Sequence, residues 1–286
     1  VAVVPTPTYP IHTYSFILAG GAVEDLKIKF DENYNVDEDD FFDKLTHIFD
    51  TAHVKPKYVL VNFPHNPTSA TVTPNFYKRL VAMAKERRFY IISDIAYGDI
   101  SFGGYKTPSI MEVEGALDVA VESFTVSKSY NMAGWRIGFF VGNKKLIGAL
   151  VKLKSWLDYG MFTPIQKATV EALTGDQTCV DEITGRYNHR QDVLIEEFAK
   201  IGWNIKKNKA SMFSWAKIPD CVQEMGTLEF CKRLLEQEAV AMSPGVGFGD
   251  DGEGYVRIAL IQDDARMEDA AQRIGRFLEN NCKEEN

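Results

Sequence analysis

The chain has 286 residues, 45% of them hydrophobic, enough to bury a sizeable core in two domains or in one large α/β unit. Its net charge of -8 comes from acidic and basic residues mixed along the whole length, so no basic face is available for a nucleic acid. No apolar run approaches the roughly 20 residues needed to cross a bilayer, and Pro5, Pro7 and Pro10 spoil the opening stretch as a signal-peptide core; a cytoplasmic protein with no membrane or nucleic-acid partner is expected.

Residues 1–10 read as a buried strand running into a Pro-rich loop, with nothing before it to pack against. A chain whose beginning is not shown is therefore expected. The acidic run Asp37 to Asp40 precedes Phe41, Leu45 and Ile48 as a favourable helix start. From residue 57 to 141, apolar β-type runs alternate with helical patterns and polar loops, the rhythm of a parallel sheet covered by helices. Strands are predicted at 58–61, 89–93, 119–124 and 136–141. A helix behind Thr73 and Pro74 carries Phe76, Leu80, Met83 and Ala84 inward.

Further on, Leu146, Leu150, Leu153 and Leu157 mark one helix face, and Val180, Ile183, Tyr187, Leu194 and Phe198 mark a longer one able to bridge two domains. Strands are predicted at 212–216, 240–242 and 255–261, with a helix around 228–237 and a closing helix that turns Met267, Ala270, Ile274 and Phe277 inward. The expected fold class is α/β, a mostly parallel sheet with helices on both faces over residues 1–180, followed by a smaller α+β domain over 181–286. Cys179, Cys221, Cys231 and Cys282 are irregularly spaced and are expected as reduced thiols. His12, His47, His53, His65 and His189 form no ligand-spaced pair on one helix face, so they read as unrelated polar positions and no metal is expected.

In an open parallel sheet, ligands sit at the carboxyl ends of strands. The four predicted strands of that sheet bring Asn66 (in FPHNPTS), Asp94 and Tyr97 (in SDIAYGD), Thr125, Ser127 and Lys128, and Arg136 to such positions. Singly each has a bland explanation, as a turn former, a cap or a solvated charge. Together they answer the needs of pyridoxal phosphate. A buried carboxylate such as Asp94 keeps the pyridine nitrogen protonated, and Tyr97 and Asn66 donate to the phenolic oxygen. Thr125, Ser127 and Arg136 suit the phosphate, and a desolvated Lys128 near positive charge suits the aldehyde.

The run SFTVSKSYNMAGWRIGF at 123–139, with PHNPTS and SDIAYGD upstream, resembles the class I and II aminotransferases of fold type I, and the likeness extends from PTPTYPIH at 5–12 to YVRIALI at 255–261. The resemblance implies that Lys128 is both the Schiff-base residue and the group that moves the proton between the substrate α-carbon and the cofactor. It implies that Tyr9 stacks on the cofactor ring and that Arg257, with Asn66 beside it, binds the substrate carboxylate. A homodimer acting on amino-acid and 2-oxo-acid substrates is also implied. The glycines of SPGVGFG at 243–249 lack the helix start of a dinucleotide loop and are expected to turn the backbone beside the substrate.

The family's N-terminal arm and glycine-rich phosphate loop are not recognised in the chain, so activity is expected of a longer protein. The stretch SWLDYGMFTPIQ at 155–166 contains no arginine to bind a side-chain carboxylate, which favours a small neutral donor such as alanine over aspartate or glutamate. The alternatives are a lyase, decarboxylase or synthase on the same scaffold, or a regulatory domain that binds the cofactor without turnover.

Overall fold

A computed structural model describes residues 1–282 of the chain. In order, the elements are β1 (Ala2–Thr6), α1 (Pro10–Leu18), β2 (Val23–Lys27), α2 (Glu38–Thr51), β3 (Tyr58–Asn62), α3 (Pro74–Arg87), β4 (Tyr90–Asp94), α4 (Ala116–Val119), β5 (Ala120–Thr125), α5 (Val126–Ser129), β6 (Gly138–Gly142), α6 (Lys144–Leu157) and α7 (Thr163–Thr174). There follow α8 (Thr178–Lys200), β7 (Phe213–Lys217), α9 (Thr227–Glu238), β8 (Ser243–Pro244), β9 (Tyr255–Ala259) and α10 (Asp264–Asn281).

Strands β1 to β6 form one sheet in the order β2-β1-β3-β4-β5-β6; all neighbours are parallel except β5 and β6. Side chains alternate between the faces. Val59 and Val61 join Phe41, Leu45 and Phe49 of α2 and Phe76, Tyr77 and Leu80 of α3 in one core. On the opposite face, Tyr58 meets Phe16 of α1. Asp37 caps α2 by accepting from the amide of Asp40, as the acidic run predicts. The second sheet, β7-β9-β8, is antiparallel and packs with α8, α9 and α10 around its own core, which includes Leu194, Phe198, Phe230, Ile274 and Phe277.

Several expectations need correction. The strand expected at 136–141 begins at Gly138 and runs antiparallel to β5. Here α5 and the turn at Ala133–Trp135 keep the chain at the carboxyl end of β5, so it can only return in the opposite sense. The segment 240–242 is not a strand; the pairing with β9 falls on Ser243 and Pro244. The predicted leucine face of α6 is not buried: Leu153 is 56% and Leu157 71% exposed, since β6, against which α6 packs, is itself the exposed edge of the sheet. The buried strand and Pro-rich segment read at 1–10 are present, as β1 and residues 7–9, and α1 follows directly because Pro10 occupies the first helical position, where its missing N–H costs nothing. Cys221 and Cys282 are not free thiols but a disulfide: α10 returns its end to the segment around residue 221, with a Cα separation of 5.2 Å that a bridge can span.

One buried charge is structural. Glu122 of β5 is 4% exposed, and its carboxylate accepts from Ser93 Oγ (3.2 Å), Ser109 Oγ (2.5 Å) and the Ile110 amide (3.0 Å), pinning the 109–112 segment to the sheet. Burial pushes its pKa up despite those donors. Glu122→Ala leaves the buried Ile110 amide without this acceptor and takes it from the Ser93 and Ser109 hydroxyls as well, and is expected to cost about 2 kcal/mol or more of stability; urea unfolding checks this, and an unchanged midpoint would remove the carboxylate from the structural account.

Candidate active site

The chain changes direction at β1, whose neighbours are β2 on one side and β3 on the other, and the crevice at such a switch point is where open α/β sheets bind ligands. At the carboxyl ends of these strands lies a cavity of about 250 Å³ lined by Tyr9, His12, Asn62, Asn66, Asp94, Ala96, Tyr97, Lys128, Phe213 and Arg257. Six of the nine residues expected at the site therefore meet in one place.

Asp94 ends β4 and is held from three directions. Its Oδ1 accepts from the Ala96 amide (3.1 Å) and from Ser123 Oγ (3.2 Å), and its Oδ2 lies 3.1 Å from His12 Nε2. The other ring nitrogen of His12 sits 3.1 Å from Thr8 Oγ1. His12 is thus not an unrelated polar position. Its signal was available in PTPTYPIH: a helix started by Pro10 puts a residue of its first turn beside the preceding strand ends, but the stretch reads as a loop. Nearby His65 is fully buried, and desolvation, with His12 a lesser cause, drives its pKa down to about 3, so it stays neutral and serves the fold by contacting Thr68 Oγ1 at 2.8 Å.

Asn66 and Tyr97 face each other, Nδ2 to Oη at 3.5 Å. Burial raises the Tyr97 phenol well above its ordinary value, with Arg257 opposing, so Tyr97 is a neutral donor. Arg257, in the middle strand β9, donates from Nη1 to Asn66 Oδ1 at 2.8 Å. Its guanidinium lies over the rings of Phe213 (4.1 Å) and Phe248 (4.6 Å). Its Nε is buried without a partner, a donor set in place and not spent within the protein. Phe248 comes from the SPGVGFG segment, a 3-10 turn and not an open loop. Gly245 is required there, since a Cβ would stand 2.0 Å from the carbonyl oxygen of Gly252.

Lys128 lies in the short helix α5, with Nζ 5.9 Å from the centre of the Tyr97 ring. Its pKa is lowered, first by burial, then by the charges of Arg257 and Arg136. Thr125, Ser127 and Arg136 are not among the cavity-lining residues. The Thr125 hydroxyl is engaged with the Ile137 carbonyl and Ser127 Oγ, both at 2.8 Å, and caps α5 by accepting from the Ser127 amide. Arg136 is exposed, in a left-handed conformation with φ of 53°, and donates to the Ala133 carbonyl. The antiparallel turn of β6 brings it to the same edge of the sheet as Lys128.

Two observations test whether pyridoxal phosphate fits. The donor set has the right chemistry: a carboxylate, two neutral donors, an amine of lowered pKa and a guanidinium with a free buried N–H. All open on one cavity. The ring end is therefore well matched, whereas Thr125, Ser127 and Arg136, the residues expected at the phosphate, do not line the cavity. Among the described residues no group of side chains suits a metal ion, and no helix is long and apolar enough to cross a membrane.

This sheet order and this residue set define the architecture of a fold type I pyridoxal-phosphate-dependent transferase. The solved structure of an aromatic aminotransferase from Pyrococcus horikoshii OT3 superposes with a TM-score of 0.87 at 26% identity, covering 98% of this chain and 72% of that one. The chain belongs to the class I and II aminotransferase family, whose model matches residues 1–274, and aminotransferases of this class use pyridoxal phosphate. It is 48% identical over 271 residues to glutamate-pyruvate aminotransferase AlaC of Escherichia coli (strain K12), covering 95% of this chain and 64% of that protein. It is 44% identical over 278 residues to the putative aminotransferase AatC of Rhizobium meliloti (strain 1021), covering 97% and 67%. The chain thus spans about two thirds of the length of these relatives.

Proposed function

We propose that this chain carries the catalytic centre of an aminotransferase that exchanges an amino group between a small neutral L-α-amino acid, alanine first, and a 2-oxo acid. The observation that carries this reading is the convergence of Lys128, Asp94, Tyr97, Asn66 and Arg257 on one cavity. Pyridoxal phosphate, when bound, supplies an aldehyde that takes up the amino group and a pyridine ring that withdraws electrons from the substrate α-carbon.

The chain's own residues do the rest. Asp94, oriented by His12, Ser123 and the Ala96 amide, presents a fixed carboxylate to the ring nitrogen and keeps it protonated. Tyr97 and Asn66 donate to the ring oxygen, and Tyr9 covers a ring face. Arg257 pairs with the substrate carboxylate through its fork of donors, and Asn66 holds that fork in place. The Lys128 amine, easier to deprotonate than an ordinary lysine, holds the aldehyde and then carries the proton to and from the α-carbon. Ser127 and Arg136 bind the phosphate, and Phe213 and Phe248 shield Arg257 from water.

Alanine is favoured by the likeness to AlaC and by the lack of arginine in 155–166. A cytoplasmic homodimer belongs to the same proposal. Its support is the apolar surface left open on α1 and α6, where Leu18 is 86% and Trp156 76% exposed. The test is a single half-reaction: full-length protein loaded with pyridoxal phosphate is mixed with L-alanine and no acceptor. Release of one pyruvate per site, followed by re-formation of alanine when pyruvate is added back to the amino-loaded protein, is the expected result. Carbon dioxide release would overturn the transaminase reading, as would the absence of any 2-oxo acid product from alanine, aspartate and glutamate alike; no pyruvate from alanine alone would overturn the choice of alanine.

A further inference from the structure

We propose that Asn62 is a positioning residue that locks together the two sides of the cofactor site, setting the spacing between Asp94 and Asn66. The inference rests on the reading of this cavity as a pyridoxal-phosphate site and adds a residue that lies just before the segment PHNPTS at 64–69.

Asn62 is the last residue of β3 and lies directly opposite Asp94 in the parallel register with β4. It is 2% exposed and lines the cavity. A single side-chain amide makes two different bonds: Nδ2 donates to the Asp94 carbonyl oxygen at 2.7 Å, and Oδ1 accepts from the Asn66 backbone amide at 3.0 Å. The partners fix its orientation, since a flipped amide would set oxygen against oxygen and N–H against N–H. Asp94 and Asn66 are the residues that would face the ring nitrogen and the ring oxygen, one at the end of β4 and the other in the loop that follows β3. The side chain of Asn62 is hydrogen-bonded to the backbone of both.

Arg257 and Tyr97 hold the Asn66 side chain at this end of the loop, while Asn62 holds its backbone amide. Beyond Asn66 the loop is tied to the small sheet, where Ser69 Oγ donates to the Phe213 carbonyl (3.0 Å) and contacts Ser211 Oγ (2.7 Å). Without Asn62 the Asn66 amide and the Asp94 carbonyl would be buried and unpaired, and each would relax towards any other partner. A displacement of even about 1 Å at such a site is costly, because the donors must meet a rigid ring at once.

The requirement is specific. Only a side chain with one donor and one acceptor on the same short planar group satisfies both bonds. Asn62→Asp is close to isosteric and keeps the acceptor for Asn66, but it sets an ionised oxygen against the Asp94 carbonyl. Protonating the introduced carboxyl restores a donor, so the defect should reverse with acid. A merely structural substitution would show no such recovery.

The experiment measures pyridoxal phosphate affinity and the visible absorption of the bound cofactor as a function of pH in full-length wild type, Asn62→Asp and Asn62→Ser, together with the melting temperature of each cofactor-free protein. The expected result is a loss of affinity of about ten-fold or more in both variants at neutral pH. The pH titration of the bound cofactor should shift in both, and only Asn62→Asp should recover affinity as the pH is lowered. Wild type that takes up no cofactor would overturn the reading of the cavity and this inference with it. Wild type that binds while both variants match it in affinity and spectrum, whatever their melting temperatures, would overturn the role of Asn62 alone. If Asn62→Asp does not fold, Asn62→Ser decides by the same affinity and spectral criteria.

Discussion

Replacement of Lys128 by alanine is expected to lower kcat of the proposed transamination, measured on the full-length protein, by about 10³-fold, the scale of losing a positioned acid/base. No other amine lines the cavity, where the remaining groups are a carboxylate, phenols, amides, an imidazole, Phe213 and a guanidinium. Arg257 cannot substitute, since a guanidinium stays protonated. Steady-state transamination checks the result, and a variant within ten-fold of wild type would remove Lys128 from the centre of the chemistry. Removal of the Lys128 amine has a second, opposite consequence. The lysine pKa lies below its ordinary 10.5 because burial and two guanidiniums disfavour the charged form. Such a group binds fewer protons in the folded chain than in the unfolded one, so stability rises with pH through the window between the lowered value and 10.5. Below that window the charge is a standing cost to the fold. Lys128→Met should therefore raise the melting temperature of the cofactor-free protein at neutral pH, and the advantage should shrink as the pH nears the upper end of the window.

Asp94→Asn is expected to reduce kcat/KM by about 10² to 10³-fold, the equivalent of losing roughly 3–4 kcal/mol of transition-state stabilisation. The amide keeps the shape and retains an acceptor for the Ala96 amide and Ser123, so the fold should survive. What disappears is the negative charge that would keep the ring nitrogen protonated. The decisive comparison is with Asp94→Glu, which retains the charge but moves it: partial activity there and almost none in Asp94→Asn would show that charge is needed. Equal activity of Asp94→Asn and wild type would detach Asp94 from the ring nitrogen.

Much of this site was legible along the chain because local chemistry and strand rhythm coincide. Asn66, Asp94, Tyr97 and Lys128 each follow an apolar strand, and a strand end in a parallel sheet is a position with only one structural meaning. The helix starts at Asp37 and at Pro74 were equally readable, since a start signal is a property of a few adjacent residues, although Thr73 occupies the N-cap position of α3 without a side-chain cap bond. Arg257 stood out because a guanidinium inside an apolar strand must be paired.

What escaped was of another kind. His12 reads as a lone histidine until α1 folds it back against Asp94. Asn62 looks like an ordinary strand residue until β4 lies beside it in register. The bond between Cys221 and Cys282 joins residues 61 positions apart, and the antiparallel return of β6 depends on how its connection packs. The open leucine face of α6 shows the same division from the other side: periodicity determines that the helix is amphipathic, but not whether anything covers it. The sequence by itself determined the chemical inventory, the run of strands and helices and the family, because these follow from short-range patterns. Which side chain touches which, and so how Asp94 is oriented, was decided only in the tertiary structure, because those bonds join segments that no short-range pattern links.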